Sequence, residues 1–286
     1  MRFSRIPRSL LFVPADEERK IKNSLIAGAD AIVLDLEDSI LPEKKQFARD
    51  RCGTEALHEA GLPSILVRIN SPRSEWFEDD LKALRGIRPD GILVPKCESA
   101  QDVRAVINAV RAQPWDTGLD LYPMVESPIG LLRAEQIVTA SDSVVAIAFG
   151  AEDYCAEMDI CRTAGEPELM QARCTLVTVA KAYGLAAIDS PSLTLDRADE
   201  IRSDAVRARA LGFTGKFGIH PKQIPILNEI FSPGAKEVEE AREMLEKAGA
   251  QGEGVFRWNE RMVDEAVLRR ARRILERHRA LTASDS

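Results

Sequence analysis

The chain has 286 residues, 45% hydrophobic and 30% charged, enough for one large barrel or two ordinary domains around a sizeable core. Its 46 acidic against 39 basic residues leave a formal charge of −7, so the overall basic footprint of a nucleic-acid binder is absent, and no apolar run is long enough to span a membrane. The five cysteines form no CxxC pair and the three histidines no paired spacing, which points to reduced thiols in a cytoplasmic enzyme and away from a zinc site.

The N-terminal MRFSRIPRSLLFVP joins basic residues to a short apolar run without a small-residue cleavage site behind it. It reads as a first strand, residues 9–13 closed by Pro14, rather than a signal peptide. Asp16 is placed to cap the next helix, where Ile21 and Leu25 repeat at i,i+4. Arg19, Lys20 and Lys22 on that helix read as a solvated face. A second strand, 31–36 (AIVLDL), is followed by Glu37, Asp38 and a helix over 43–59. A third, 64–69 (SILVRI), carries Arg68 near its end. An Arg in an apolar strand is costly to bury unless paired, so it is either a structural ion pair with an acid on an adjacent strand or a charge held for an anionic substrate. A fourth, 91–95 (GILVP), leads to Lys96, Glu98 and a helix ending near residue 112.

Residues 119–155 carry the clearest signal. An apolar strand, 119–125, stops at Glu126-Ser127-Pro128; a helical return over 129–139 puts Leu131, Leu132, Ile137 and Val138 on its apolar side; a strand at 144–149 stops at Gly150-Ala151-Glu152-Asp153. Parallel strands joined by a helix are neighbours whose C-terminal ends lie side by side. Glu126 and either Glu152 or Asp153 therefore share one rim. Two such acids suit a hard divalent cation, and Mg²⁺ commonly takes one or two carboxylates and leaves its other positions to water and substrate. Helix capping or surface ion pairing is the competing explanation.

A helix follows at 166–183, with Leu169, Cys174, Val177 and Ala180 as core positions, then a short strand at 186–188 leading into Asp189-Ser190-Pro191, a helix at 196–211, and an eighth strand at 216–219 ending at His220-Pro221. Eight strand signals alternating with helices over about 220 residues predict an α/β fold, one (β/α)8 TIM barrel. A doubly wound sheet lacks support, because no GxGxxG follows the first strand. The barrel domain is set at 1–232 and a C-terminal helical extension at 233–286. The extension holds one helix after Pro233, a glycine-rich break and an arginine-rich helix over about 263–280, with Val263, Val267, Ala271 and Ile274 or Leu275 in helical spacing. It either covers the barrel mouth or reaches a neighbouring subunit.

Active sites of such barrels lie at the C-terminal strand ends, here Asp35, Glu37, Asp38, Arg68, Lys96, Glu126, Glu152, Asp153, Asp189 and His220. No Ser-His-Asp arrangement with a nucleophile elbow is present. Lys96 raises Schiff-base chemistry. The carboxylates instead favour a metal that polarises a substrate oxygen.

The segments RSLLFVPADEERK, ADAIVLDLEDSI, LVRINSP, GILVPKCES, YPMVESPIGLL, AFGAEDY and GKFGIHPKQI, in that order over nearly the whole chain, resemble the citrate lyase beta-subunit family of the HpcH/HpaI aldolase superfamily. The resemblance implies a homotrimeric barrel enzyme with Mg²⁺ held by Glu126 and Asp153, and with Arg68 at the substrate anion among the catalytic strand-end residues Asp35 and Glu37. RMVDEAV is similar to the family's Met-x-Asp motif, so Asp264 is expected to enter a neighbouring subunit's site as acid/base. Arg19, Lys20 and Lys22 become candidates for the phosphates of coenzyme A. The implied reaction is cleavage of a 3-hydroxyacyl-CoA, (S)-citramalyl-CoA or (S)-malyl-CoA, to acetyl-CoA and a 2-oxo acid. Alternatives are a citryl-CoA-cleaving beta subunit, a metal-dependent aldolase of free 2-oxo-4-hydroxy acids, and a non-catalytic CoA-binding subunit of a lyase complex.

Overall fold

The computed structural model describes residues 7–52, 62–112, 119–251 and 255–284. Eight parallel strands pair in sequence order: β1 (Ser9–Pro14), β2 (Ala31–Asp35), β3 (Ser64–Arg68), β4 (Gly91–Val94), β5 (Asp120–Val125), β6 (Ala146–Phe149), β7 (Ala186–Asp189) and β8 (Gly215–Gly218). β8 returns to β1, with Ser9 opposite Lys216, and the sheet closes into the expected barrel.

Side chains alternate between the two faces of each strand. One parity, including Leu10, Val33, Leu66, Tyr122, Met124, Ile188 and Phe217, packs inside the barrel. The other, including Leu11, Leu34, Val67, Ile92 and Ile147, packs against the surrounding helices. This parity decides the site. The inward position after Val33 is Asp35, after Leu66 Arg68, and after Met124 Glu126.

The outer ring is α1 (Glu18–Leu25), α2 (Lys45–Cys52), α3 (Phe77–Ile87), α4 (Ala100–Arg111), α5 (Pro128–Leu132), α6 (Ala134–Val138), α7 (Ala151–Glu157), α8 (Met170–Ala182), α9 (Ala198–Leu211) and α10 (Ile224–Phe231). Several sequence expectations need correction. Asp16 does not cap α1; it pairs with Lys44 at 3.2 Å. The return after β5 is two short helices, and Leu132 is 83% exposed because it falls in the last turn before the break. On α8 it is Arg173 that turns inward, toward a buried carboxylate, while Cys174 is exposed. α3, which buries Phe77, Leu81, Leu84 and Ile87, has no counterpart in the sequence reading. The helix predicted over 43–59 is described only as far as Cys52; its remainder lies outside the described residues.

Beyond residue 232 come α11 (Ala235–Gln251), a hairpin of β9 (Phe256–Trp258) and β10 (Arg261–Val263), and α12 (Glu265–Ser284). Val263 thus closes a strand instead of opening the helix. Asn259 and Glu260 both take left-handed backbone angles (φ 44° and 63°), the geometry of a two-residue hairpin turn. The extension packs on itself through Trp258, Val263 and Leu268 with Met244 and Leu245. Polar ties to the barrel include Arg209 to Glu237 at 2.6 Å and Arg277 Nη2 donating to Thr214 O at 2.5 Å. Both lie at the N-terminal end of β8, the rim opposite the strand-end acids. In its own chain, therefore, the extension does not cover the barrel mouth among the described residues.

Candidate active site

A cavity of about 460 Å³ opens at the C-terminal ends of the strands, lined by Phe12, Asp35, Asp38, Arg68, Met124, Glu126, Gly150, Glu152, Asp153, Arg162, Ser190 and Ile219 among others. Phe12 and Phe217 stack at 4.8 Å in the barrel interior, and the Arg68 guanidinium sits 4.8 Å above the Phe12 ring.

Asp35 and Arg68 are direct cross-strand partners in the β2–β3 register. Arg68 donates from Nε and Nη2 to the two Asp35 oxygens at 2.7 Å each, and Nη1 lies 3.3 Å from Glu37 and 3.5 Å from Asp38. Asp35 also accepts from the backbone N–H groups of Glu37 and Ser39. Burial opposes its ionisation, but Arg68 and these donors outweigh burial and hold the carboxyl below its ordinary range. A carboxylate so satisfied orients Arg68 and has little capacity to move a proton. The two accounts of Arg68 are thus compatible in one respect: it is ion-paired and it lines the cavity.

Glu37 differs. Burial pushes it up to about 7 against the pull of Arg68, with Asp38 adding to the rise. Its Oε2 is buried without a hydrogen bond. Lys96 Nζ sits 2.9 Å from Glu37 Oε1 and 3.3 Å from Asp38; burial works against its charge, but these carboxylates win and raise its pKa. Lys96 is held protonated, and Schiff-base chemistry loses its support. Lys96 has a left-handed backbone (φ 51°) that directs its N–H onto Glu126 Oε1 at 2.6 Å. The β2 exit loop is fixed from below by Lys45, whose Nζ donates to Leu36 O, Glu37 O and Asn70 Oδ1.

Glu126 directly follows β5 and is 3% exposed. The segment after it is built to release it: Ser127 caps α5 by accepting the Gly130 N–H, Pro128 takes the first helical position, and a Cβ at Gly130 would stand 2.5 Å from Cys97 O. Gly150 is required for the same reason, since a Cβ there would lie 2.6 Å from Glu126 Cβ. Burial pushes Glu126 well above the usual carboxylate range, and the negative charges of Glu37 and Asp153 add to it. Of the two acids opening α7, Glu152 is taken by Arg162 at 2.7 Å, while Asp153 faces the same cavity as Glu126 and has no ion pair among the described residues. No group of three or more His, Cys, Asp or Glu set for a metal occurs among the described residues. Two carboxylates with an open cavity nevertheless fit a hard divalent cation that draws its other ligands from solvent and substrate.

Other expected residues lie elsewhere. Asp189 faces outward from β7 into a buried network: it takes Arg173 Nε at 2.9 Å and Lys216 Nζ at 2.5 Å, and Lys216 also meets Asp204 at 3.0 Å. His220 caps a short turn by accepting the Lys222 N–H at Nδ1. Arg19, Lys20 and Lys22 are exposed on α1; Lys20 pairs with Glu17 at 2.5 Å and Lys22 with Glu18 at 2.7 Å. Asp264 caps α12, accepting the Val267 N–H at 3.0 Å, and does not line the cavity of its own chain. Arg162 and Ser190 were missed. Ser190 directly follows a strand end, a usable signal; Arg162 lies in an irregular loop that carries none.

A family model for HpcH/HpaI aldolase/citrate lyase matches residues 8–221. The chain is 37% identical over 288 residues to the citrate lyase subunit beta of Escherichia coli (strain K12), covering 96% of this chain and 94% of that one. It is 33% identical over 297 residues to the L-malyl-CoA/beta-methylmalyl-CoA lyase of Rhodobacter capsulatus, with 94% and 93% covered. A solved structure of CitE from Mycobacterium tuberculosis in complex with magnesium, acetoacetate and coenzyme A superposes with a TM-score of 0.80 at 29% identity, covering 94% of this chain and 97% of that one.

Proposed function

The chain belongs to the HpcH/HpaI aldolase/citrate lyase family, and from that premise we propose that it is a Mg²⁺-dependent carbon–carbon lyase of 3-hydroxyacyl-CoA thioesters. The smallest substrates of this class are (S)-malyl-CoA and (S)-citramalyl-CoA, giving acetyl-CoA with glyoxylate or pyruvate. Citryl-CoA, one carboxylate larger, is the alternative within the class. The observation that carries the reading is the placement of Glu126 and Asp153, from successive βα units, on one cavity with Arg68.

Glu126 and Asp153 would hold the Mg²⁺. When bound, the ion supplies Lewis acidity toward the substrate's hydroxyl and carboxylate oxygens. Arg68, locked by Asp35, presents fixed positive charge to the oxygen that becomes anionic as the bond between the α-carbon and the carbinol carbon breaks. The hydroxyl proton leaves as the 2-oxo acid forms, the bonding pair passes to the thioester as an enolate, and protonation of that enolate yields acetyl-CoA. Asp264 of a neighbouring copy is the proposed proton carrier, in a trimer, worth roughly 10²- to 10⁴-fold as a general acid–base group. Arg19, Lys20 and Lys22 are the proposed contacts for coenzyme A phosphates. The ion pairs of Lys20 and Lys22 are exposed and screened by solvent, and a phosphate displaces them at little cost.

The test is incubation of the pure protein with malyl-, citramalyl- and citryl-CoA and Mg²⁺, with identification of the 2-oxo acid released. Turnover of free 2-oxo-4-hydroxy acids alone, or binding of the thioesters without cleavage by the isolated chain, would overturn the proposal.

A further inference from the structure

Two cations line the cavity among the described residues, Arg68 and Arg162, and they are held differently. Arg68 is closed off by three carboxylates of the β2 exit. Arg162 is anchored along one edge by Glu166: Nε donates to Glu166 Oε1 at 2.6 Å, and Nη2 meets the same oxygen. Glu166 (9% exposed side chain) is gripped in turn by Arg173 at 2.6 Å, and Arg173 by Asp189. The other side of the guanidinium, Nη1, meets Glu152 at 2.7 Å, and here the partners are unequal. The Arg162 side chain is 12% exposed, that of Glu152 58%. A solvated carboxylate on the remaining nitrogen of a firmly held guanidinium is a partner that another carboxylate can replace, since leaving it costs Glu152 little.

A second observation comes from another strand end. Ser190, immediately after Asp189, lines the same cavity at 1% exposure, and its Oγ is buried without a hydrogen-bond partner. An orphaned buried hydroxyl is costly and is found where a ligand or water completes it. The network that anchors Arg162 also fixes Asp189, so both groups stand on one rigid support.

We propose that Arg162 and Ser190 form a subsite for a second substrate carboxylate, on the wall away from Arg68. Resting on the lyase reading above, this makes a hydroxyacyl thioester with a carboxymethyl arm, as in citryl-CoA, a better substrate than the methyl-bearing citramalyl-CoA. Arg162 exchanges Glu152 for the incoming carboxylate, and the Ser190 hydroxyl donates a hydrogen bond to that carboxylate. No covalent step is involved.

The experiment compares substrates and products that differ by that one carboxylate: kcat and KM for citryl-CoA against citramalyl-CoA, and Mg²⁺-dependent binding of oxaloacetate against pyruvate by calorimetry. Wild-type protein prefers the carboxylate-bearing member of each pair. Arg162→Gln removes the preference, by roughly 10- to 100-fold and chiefly in KM and Kd. Arg162→Lys restores part of it, and Ser190→Ala weakens it in the same direction. Glu152→Gln tightens oxaloacetate binding, because the competing carboxylate is gone. Equal losses on both members of each pair, or weaker oxaloacetate binding in Glu152→Gln, would show Arg162 to be structural and overturn the proposal. Ser190→Ala and Glu152→Gln keep the test valid if Arg162→Gln does not fold. A preference for oxaloacetate that depends on Arg162, without thioester cleavage, sinks the lyase reading and leaves the subsite standing.

Discussion

Asp35 and Arg68 face each other across neighbouring strands, joined by two 2.7 Å hydrogen bonds in a fork-to-fork pair whose side chains are 3% and 12% exposed. The carboxylate spends its whole hydrogen-bonding capacity on orienting one guanidinium and its own exit loop. Removing one partner of a buried pair is more damaging than the pair is worth, because the other charge is left uncompensated. Asp35→Asn is expected to lower the urea-unfolding free energy by about 3 kcal/mol and kcat by a larger factor than it raises KM. A stable variant with unchanged kcat would remove Asp35 from the site.

Glu126 is nearly inaccessible and accepts one backbone hydrogen bond, from Lys96. Glu126→Gln keeps its shape and removes a buried charge. Mg²⁺-dependent turnover should vanish, while the melting temperature without divalent cation stays level or rises. Asp153→Asn should also abolish turnover. Full Mg²⁺-dependent activity in both variants refutes the assigned ligands.

Gly150 borders Glu126 so closely that any Cβ displaces it. Gly150→Ala is predicted to cost about 1–3 kcal/mol, as overpacking does, and to lose activity comparably with Glu126→Gln. Retained activity would mean that the Glu126 carboxylate can move without consequence.

Glu166 and Asp189 are both held below the ordinary carboxylate range. For each, burial opposes ionisation and is outweighed, for Glu166 mainly by Arg173 and for Asp189 by Lys216 and Arg173. A carboxyl whose pKa is lower folded than unfolded contributes stability that is fully present above its unfolded value and is lost as pH falls through its folded value. The contribution of these two carboxyls should therefore be level near pH 7 and fall on acidification below their unfolded values of about 4. Asp189→Asn leaves Lys216, whose side chain is 0% exposed, with Asp204 alone, at a cost of about 3–5 kcal/mol at neutral pH. The same variant should show a shallower acid dependence in urea titrations, and an unchanged one would refute the assignment.

Asp264 caps α12 outside the cavity of its own chain. If it acts in another copy, Asp264→Ala and Glu126→Gln are each inactive, yet co-expressed they assemble some sites with both residues intact. Activity in the mixture is the expected result. Mixed assemblies that remain inactive would place the proton carrier elsewhere.

The barrel and its acidic rim were legible because they depend on local pattern. Apolar runs such as AIVLDL and DLYPMV, each followed at once by a glutamate, mark buried parallel strands, and period-two alternation then carries Asp35, Arg68 and Glu126 to the inward face. ESPIG likewise states its own geometry, an acid, a cap, a first-turn proline and a close-packed glycine. The hairpin before α12 was missed because Asn259-Glu260 lacks the glycine that usually marks such a turn.

What the sequence determined by itself is the succession of strands, the face each side chain takes, and hence which charges reach the open rim. Only the tertiary structure decided how those charges are paired: Glu152 with Arg162 but Asp153 on the cavity that Glu126 lines, Asp189 withdrawn to Arg173 and Lys216, and Asp264 outside its own cavity. Periodicity is a property of one strand, whereas the partner of a charge depends on through-space distance between segments far apart in the chain, and burial makes that distance decisive.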